Sequence, residues 1–214
     1  MEKKYKTKKE GSMLRIIALK DFAEFEKGQL GGLIEKEENL SQEGNCWIYP
    51  DAKVYGDARV YDNAWIEGNA QVYGEARIYD NAMVSGIAIV CGSARVYENA
   101  RVYDNAYVSD NAMVSGWSEV CEFARVFGDV WVYGEAYVSG NAEVRGNVKL
   151  HSPLNKFCIA NFIENSKDYV ILVAIRKDFC IFSSDIGDVA DFATTARHYL
   201  KNIETIRQLY EEKV

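Results

Sequence analysis

Between Cys46 and Val148 the chain keeps a period of six without one insertion. The eighteen positions of that series hold fourteen alanines, the exceptions being Cys46, Ser118, Val130 and Val148. Two residues beyond each stands an aliphatic: fourteen valines, Ile48, Ile66, Ile78 and Leu150. Six matches neither the helical repeat nor a heptad, and the small–x–aliphatic spacing is strand alternation. Turn chemistry follows each aliphatic, as in Gly56-Asp57, Asp62-Asn63, Gly68-Asn69 and Gly146-Asn147. Gly and Asn tolerate left-handed backbone angles, so each hexad reads as a short strand and a corner. One hexad cannot bury a face alone, and the units must stack into a parallel β-helix with the aliphatic inward and the alanine beside the corner.

The number of hexads per coil is fixed by which residues recur. Arg59, Arg77 and Arg95 lie eighteen apart, as do Tyr61, Tyr79 and Tyr97, and Trp47 and Trp65. A twelve-residue column from Arg59 runs instead to Gln71 and Met83. Three hexads per coil follow, giving about six coils in a triangular prism about 30 Å long.

"VYGDARVYDNA" (54–64) resembles the hexapeptide repeat of left-handed parallel β-helices, an aliphatic followed four residues later by a small residue. That likeness implies the left-handed coil, against the right-handed preference of ordinary crossovers. The lead-in "LRIIALKDFAEFEKGQLGG" and the junction "ENLSQEGNCWIY" (38–49) are similar to the N-terminal cap of YdcK-type hexapeptide-repeat proteins. The likeness covers about residues 14–151. Members of that group are called transferases by analogy of fold, which identifies no site. The expected fold is therefore all-β: a tail and cap at 1–45, the β-helix at 46–151, and a small α/β cap or oligomerisation element at 152–214.

That last element loses the period after Ser152-Pro153. "KFCIANFI" (156–163), "DYVILVAI" (168–175) and "DFCIFSS" (178–184) read as strands, and Val189, Phe192, Ala193, Ala196, Tyr199, Leu200, Ile203 and Ile206 recur at helical spacing. It is expected to cover an open coil edge that would otherwise invite pairing. The lysine-rich start "MEKKYKTKKE" reads as a solvated, frayed tail. "LRIIAL" (14–19) is too short for a signal-peptide core, and no segment reaches membrane-span length. Five cysteines without a CxxC pair suit reduced thiols in the cytoplasm. A net charge of −7 argues against a general binder of nucleic-acid backbones.

Chemistry is sparse. Many left-handed β-helices are acyltransferases, which resemble one another in placing a histidine base near a loop extruded from a coil. Here the histidines are His151, just past the last inward aliphatic, and His198 in the C-terminal segment, and the hexads extrude no loop. No catalytic residue is assigned, and no cofactor. The β-helical carbonic anhydrases resemble one another in using three histidine ligands, which two histidines cannot supply, and no metal site is assigned. Threonine rows of the ice-binding kind and the Gly-Gly-x-Gly-x-Asp calcium nonapeptide are absent from the repeats. The Asp-Asn corner pairs at 62–63, 80–81 and 104–105 are turn formers, not ligands.

One outward face stands apart. Arg59/Tyr61, Arg77/Tyr79 and Arg95/Tyr97 stack in the eighteen-residue register, with Asp62, Asp80 and Glu98 at the adjoining corner. Two readings compete: a structural ladder in which the arginines cover the tyrosines and pair with the acids, or a face for a protein partner or an anionic, ring-containing ligand. A second patch is Trp117 and Phe123 at corners normally held by Asn or Asp, with Trp131 nearby. These corners are expected either to form a contact patch or to pack beneath the C-terminal element. The functional expectation is a non-enzymatic, self-associating binding or scaffold protein. The alternatives are an acyltransferase-like enzyme with an intersubunit site, and an acidic nucleic-acid mimic, since 46–151 holds fourteen acids against eight bases.

Overall fold

The computed structural model describes the backbone of residues 2–147, 149–152, 157–164 and 167–174, and side chains as far as Leu150. Each hexad forms a two-residue rung that bonds in parallel to the rung eighteen residues on, as Arg59 to Arg77 and Val60 to Ile78. The rungs make three walls. The first runs through Trp47, Trp65, Met83, Arg101, Glu119 and Tyr137. The second runs through Lys53, Gln71, Ile89, Tyr107, Arg125 and Glu143. The third runs through Arg59, Arg77, Arg95, Met113, Trp131 and Lys149. Three hexads per coil and about six coils are thus observed, in an all-β parallel solenoid.

The inward series fills the prism. Every described alanine and aliphatic of the period is at most 2% exposed, so the core is one continuous column of small and branched side chains. Ser118, which replaces an inward alanine, is fully buried and donates its hydroxyl to the Ser115 carbonyl at 2.7 Å. The corners depend on left-handed backbone: Gly56, Gly68 and Gly74 have positive φ, and so do Asp62, Asp80, Glu98, Asp104, Asp110 and Glu122. Asp tolerates that conformation better than most residues, and at these corners its carboxylate accepts the N–H of the corner eighteen residues on.

The N-terminus corrects the expectation of a frayed tail. β1 (Tyr5–Glu10) pairs antiparallel with β2 (Met13–Ala18), and β2 with β3 (Leu30–Ile34). β3 then runs parallel to the first rung of the second wall, Leu33 opposite Lys53, so the lysine run is the edge of a nine-stranded sheet. Its alternation was concealed because both faces carry lysines, yet Tyr5 is fully buried and Lys4 1% exposed. The glycine pair of the cap is a matter of approach, not of φ. A Cβ on Gly31 would stand 2.5 Å from Ile16 Cγ1 and 2.6 Å from the Trp47 ring, and one on Gly32 would strike Ile48 and the Tyr49 carbonyl.

At the far end, Phe157–Glu164 and Lys167–Ala174 form an antiparallel hairpin within a residue of the expected bounds. The expected third strand at 178–184, the helical-period segment from Val189 onward and His198 lie outside the described residues.

Candidate functional site

The Arg/Tyr face is the most ordered feature of the outer surface. Arg59, Arg77 and Arg95 occupy successive rungs of the third wall, all three exposed. Two residues along, Tyr61 and Tyr79 stack at 4.9 Å between centroids and 2° between planes. Tyr79 and Tyr97 follow at 5.1 Å and 3°. Parallel in-register strands bring identical side chains together at the rung spacing of about 4.8 Å, so a repeated residue becomes a column. Burial pushes the Tyr61 phenol up, opposed by the Arg77 guanidinium one rung on. The same opposition holds between Tyr79 and Arg95.

The expected pairing of these arginines with the corner acids is not found. Among the described residues, the ion pairs are Lys3–Glu37, Arg15–Glu10, Lys36–Asp57 and Arg145–Glu143. The acids are held instead by backbone. Asp80 Oδ2 accepts the N–H of Glu98 at 3.0 Å, Glu98 Oε2 that of Gly116 at 2.6 Å, and Asp62 Oδ2 that of Asp80 at 3.4 Å. Beside them Asn63, Asn81 and Asn99 form an amide ladder with links of 3.2 and 3.3 Å. The corner residues are thus turn formers, as expected, and among the described residues no ion pair joins Arg59, Arg77 or Arg95 to a carboxylate. Like charges one rung apart repel one another, at a cost moderated by solvent. At the foot of the column, Glu38, Ser41, Arg59, Val60, Tyr61 and Arg77 line an open groove of ≈ 370 Å³.

The second patch divides. Trp117 and Phe123 are 65% and 62% exposed, at the two corners that flank the Glu119–Val120 rung, and most of the C-terminal element expected to cover them lies outside the described residues. Trp131 is drawn into the wall. Its indole N–H donates to Ser115 Oγ at 3.1 Å, its ring meets Tyr133 at 4.6 Å, and the Lys149 ammonium lies 5.4 Å from its centroid.

Two of the described thiols are held away from nucleophile chemistry. Cys46, Cys91 and Cys121 are buried and free. Burial pushes the Cys46 and Cys121 thiols up, which disfavours the reactive thiolate. Among the described residues no group of three or more His, Cys, Asp or Glu could hold a metal ion, and no helix is long and apolar enough to cross a membrane. The backbone at His151 pairs with Tyr133 on the third wall, and its side chain lies outside the described residues.

The cap junction holds what sequence reasoning missed. Lys4 Nζ donates to the carbonyls of Glu43, Gly44 and Cys46 at 3.1, 3.3 and 3.0 Å. Buried Asn39 donates to the carbonyls of Gly56 and Ala58 and accepts the N–H groups of Glu35 and Lys36. Gln42 Oε1 accepts from the N–H groups of Lys4 and Tyr5. Phe22 and Phe25 close over Trp47 at 5.3 and 5.4 Å. The motif "NLSQ…CW" is therefore a plug for the first coil: its polar side chains satisfy the backbone groups that an unstacked end exposes.

Residues 52–68 and 76–92 match the family model described as the YdcK β-solenoid repeat. The chain carries YdcK-type repeats. A relative in Escherichia coli (strain K12), named "Uncharacterized acetyltransferase YdcK", is 45% identical over 58 residues. That stretch is 27% of this chain and 18% of the relative, so the alignment spans less than a fifth of the relative's length. The matched residues lie on the walls and include Arg59 and Arg77.

Proposed function

We propose that the protein is a cytoplasmic, non-catalytic binding or scaffold module whose third wall holds an anionic group through Arg59, Arg77 and Arg95, with the tyrosine column beside them. One observation carries this reading: three exposed arginines on successive rungs make no ion pair among the described residues, although acids stand at the next corner. A ladder built only for stability would place those acids against the arginines. Guanidinium presents forked donors suited to carboxylate or phosphate, and arginine and tyrosine are favoured at recognition surfaces.

The test is the double variant Arg77→Glu/Tyr79→Ser, which leaves the inward series untouched. Calorimetric titration with tripolyphosphate and sedimentation velocity report on it together. The expected result is at least tenfold weaker anion binding or loss of self-association, with the fold retained. Unchanged binding and association with a lowered melting temperature would show the column to be a structural ladder.

A second reading takes the name of the Escherichia coli relative at face value and makes this chain part of an acetyltransferase. The repeats shared with that relative favour it; the His151 side chain and His198, its candidate bases, lie outside the described residues.

A further inference from the structure

We infer that the group held by the third wall is the corner of a second copy of this chain, so that two rods pair side by side, parallel, about a two-fold axis running along the prism. This rests on the wall being an anion-binding surface and names its occupant.

The chain carries its own complement. The acid column Asp62, Asp80 and Glu98 has the same number of tiers and the same eighteen-residue register as the arginine column. Each carboxylate gives one oxygen to the backbone N–H of the next tier, and among the described residues the other oxygen makes no hydrogen bond or ion pair. The corner lies between the two columns, and among the described residues no ion pair joins them within one chain.

Symmetry selects the arrangement. A two-fold axis parallel to the prism, midway between the columns, reverses strand direction and preserves tier height. Arg59 then faces Asp62 of the second copy, Arg77 faces Asp80 and Arg95 faces Glu98, and each pairing occurs twice. A two-fold axis along the strands would instead set arginine opposite arginine. The chosen axis also passes beside Tyr61, Tyr79 and Tyr97, so the tyrosine columns of the two copies meet at the centre, where aromatic anchors are most effective. A small anion fits less well. Of the three arginines only Arg59 and Arg77 line the groove at the foot of the wall, with Glu38 beside them, whereas a rod of equal pitch engages all three tiers. The contact is isologous and closes at two copies.

The test is a charge exchange. Variant one is Arg77→Glu/Arg95→Glu; variant two is Asp80→Lys/Glu98→Lys. In sedimentation equilibrium the wild type is expected to be a dimer that dissociates as salt is raised. Each variant alone is expected to dimerise at least tenfold more weakly, because like charges then face each other across the axis. Mixed, they restore every contact and should form a 1:1 heterodimer. Since Asp80 and Glu98 also support the corner, circular dichroism checks the second variant, and Asp80→Asn/Glu98→Gln keeps the backbone acceptors while removing the charge. If that neutral pair leaves the dimer unchanged, or the mixture does not pair, the inference falls. A monomeric wild type that still binds tripolyphosphate through Arg77 overturns the dimer and leaves the anion-binding wall standing. Loss of both overturns both.

Discussion

The ammonium of Lys4 donates to the carbonyl of Cys46 at 3.0 Å and lies 3.2 Å from its thiol sulfur. A residue at the head of the chain is thereby tied to the first inward position of the period, and the cap and the first coil share one polar knot. Replacement by methionine, Lys4→Met, strands three carbonyls, and the expected loss is about 1–3 kcal/mol, read from chemical denaturation. Burial lowers the Lys4 pKa from the ordinary lysine value. Between the lowered and the ordinary pKa the unfolded chain binds more protons at this site, so its contribution to stability rises with pH through that interval. The gap between wild type and Lys4→Met should widen accordingly as pH approaches the ordinary lysine range.

Val96 is fully buried at mid-prism. Val96→Asp places an unpaired carboxylate in an all-aliphatic column, and the expected cost exceeds about 4 kcal/mol. Thermal unfolding followed by circular dichroism should lose its cooperativity. An unchanged melt would mean that the inward register is wrongly assigned.

Two glycines separate crowding from backbone preference. Gly31→Ala forces a Cβ into Ile16 and Trp47, with about 1–3 kcal/mol of overpacking expected. Gly11→Ala meets nothing within 4 Å but sits at φ +63°, and about 1 kcal/mol is expected. A Gly31→Ala variant that melts like the wild type would contradict the close approach at the cap.

Asp80 tests the corner. Asp80→Asn keeps an acceptor for the Glu98 N–H and tolerates the left-handed angle, so thermal stability should change by less than about 0.5 kcal/mol. Asp80→Ala removes both supports, and about 1–2 kcal/mol should be lost.

A binding module should show no turnover when acetyl-CoA is offered with broad amine and hydroxyl acceptors in a thiol-release assay. Turnover that disappears in His151→Ala would establish an enzyme and displace the proposed function.

The solenoid was legible because a prism with inward small and aliphatic residues admits one period, and Arg59, Arg77 and Arg95 counted the hexads per coil. The plug was half legible: its glycine pair and "NLSQ" stood out, but their work did not, since Asn39 bonds across seventeen and nineteen residues. Lys4 was hidden among lysines, the composition of a solvated edge, and only Tyr5 beside it hinted at burial. The Arg/Tyr column was visible as a column, while the pairing expected for it failed. Residue types alone do not reveal that a corner carboxylate is already turned toward a backbone N–H.

Because each rung bonds to the one eighteen residues on, fold and surface answer to different arithmetic. Excising one hexad between Tyr61 and Arg77 would keep every aliphatic inside and every corner a corner. It would also turn the remainder of the rod by a third of a revolution, leaving Arg59 on one wall and Arg77 with Arg95 on another. Such a shortened chain should fold and yet present no continuous column, whereas excising eighteen residues would shorten the column and keep it straight.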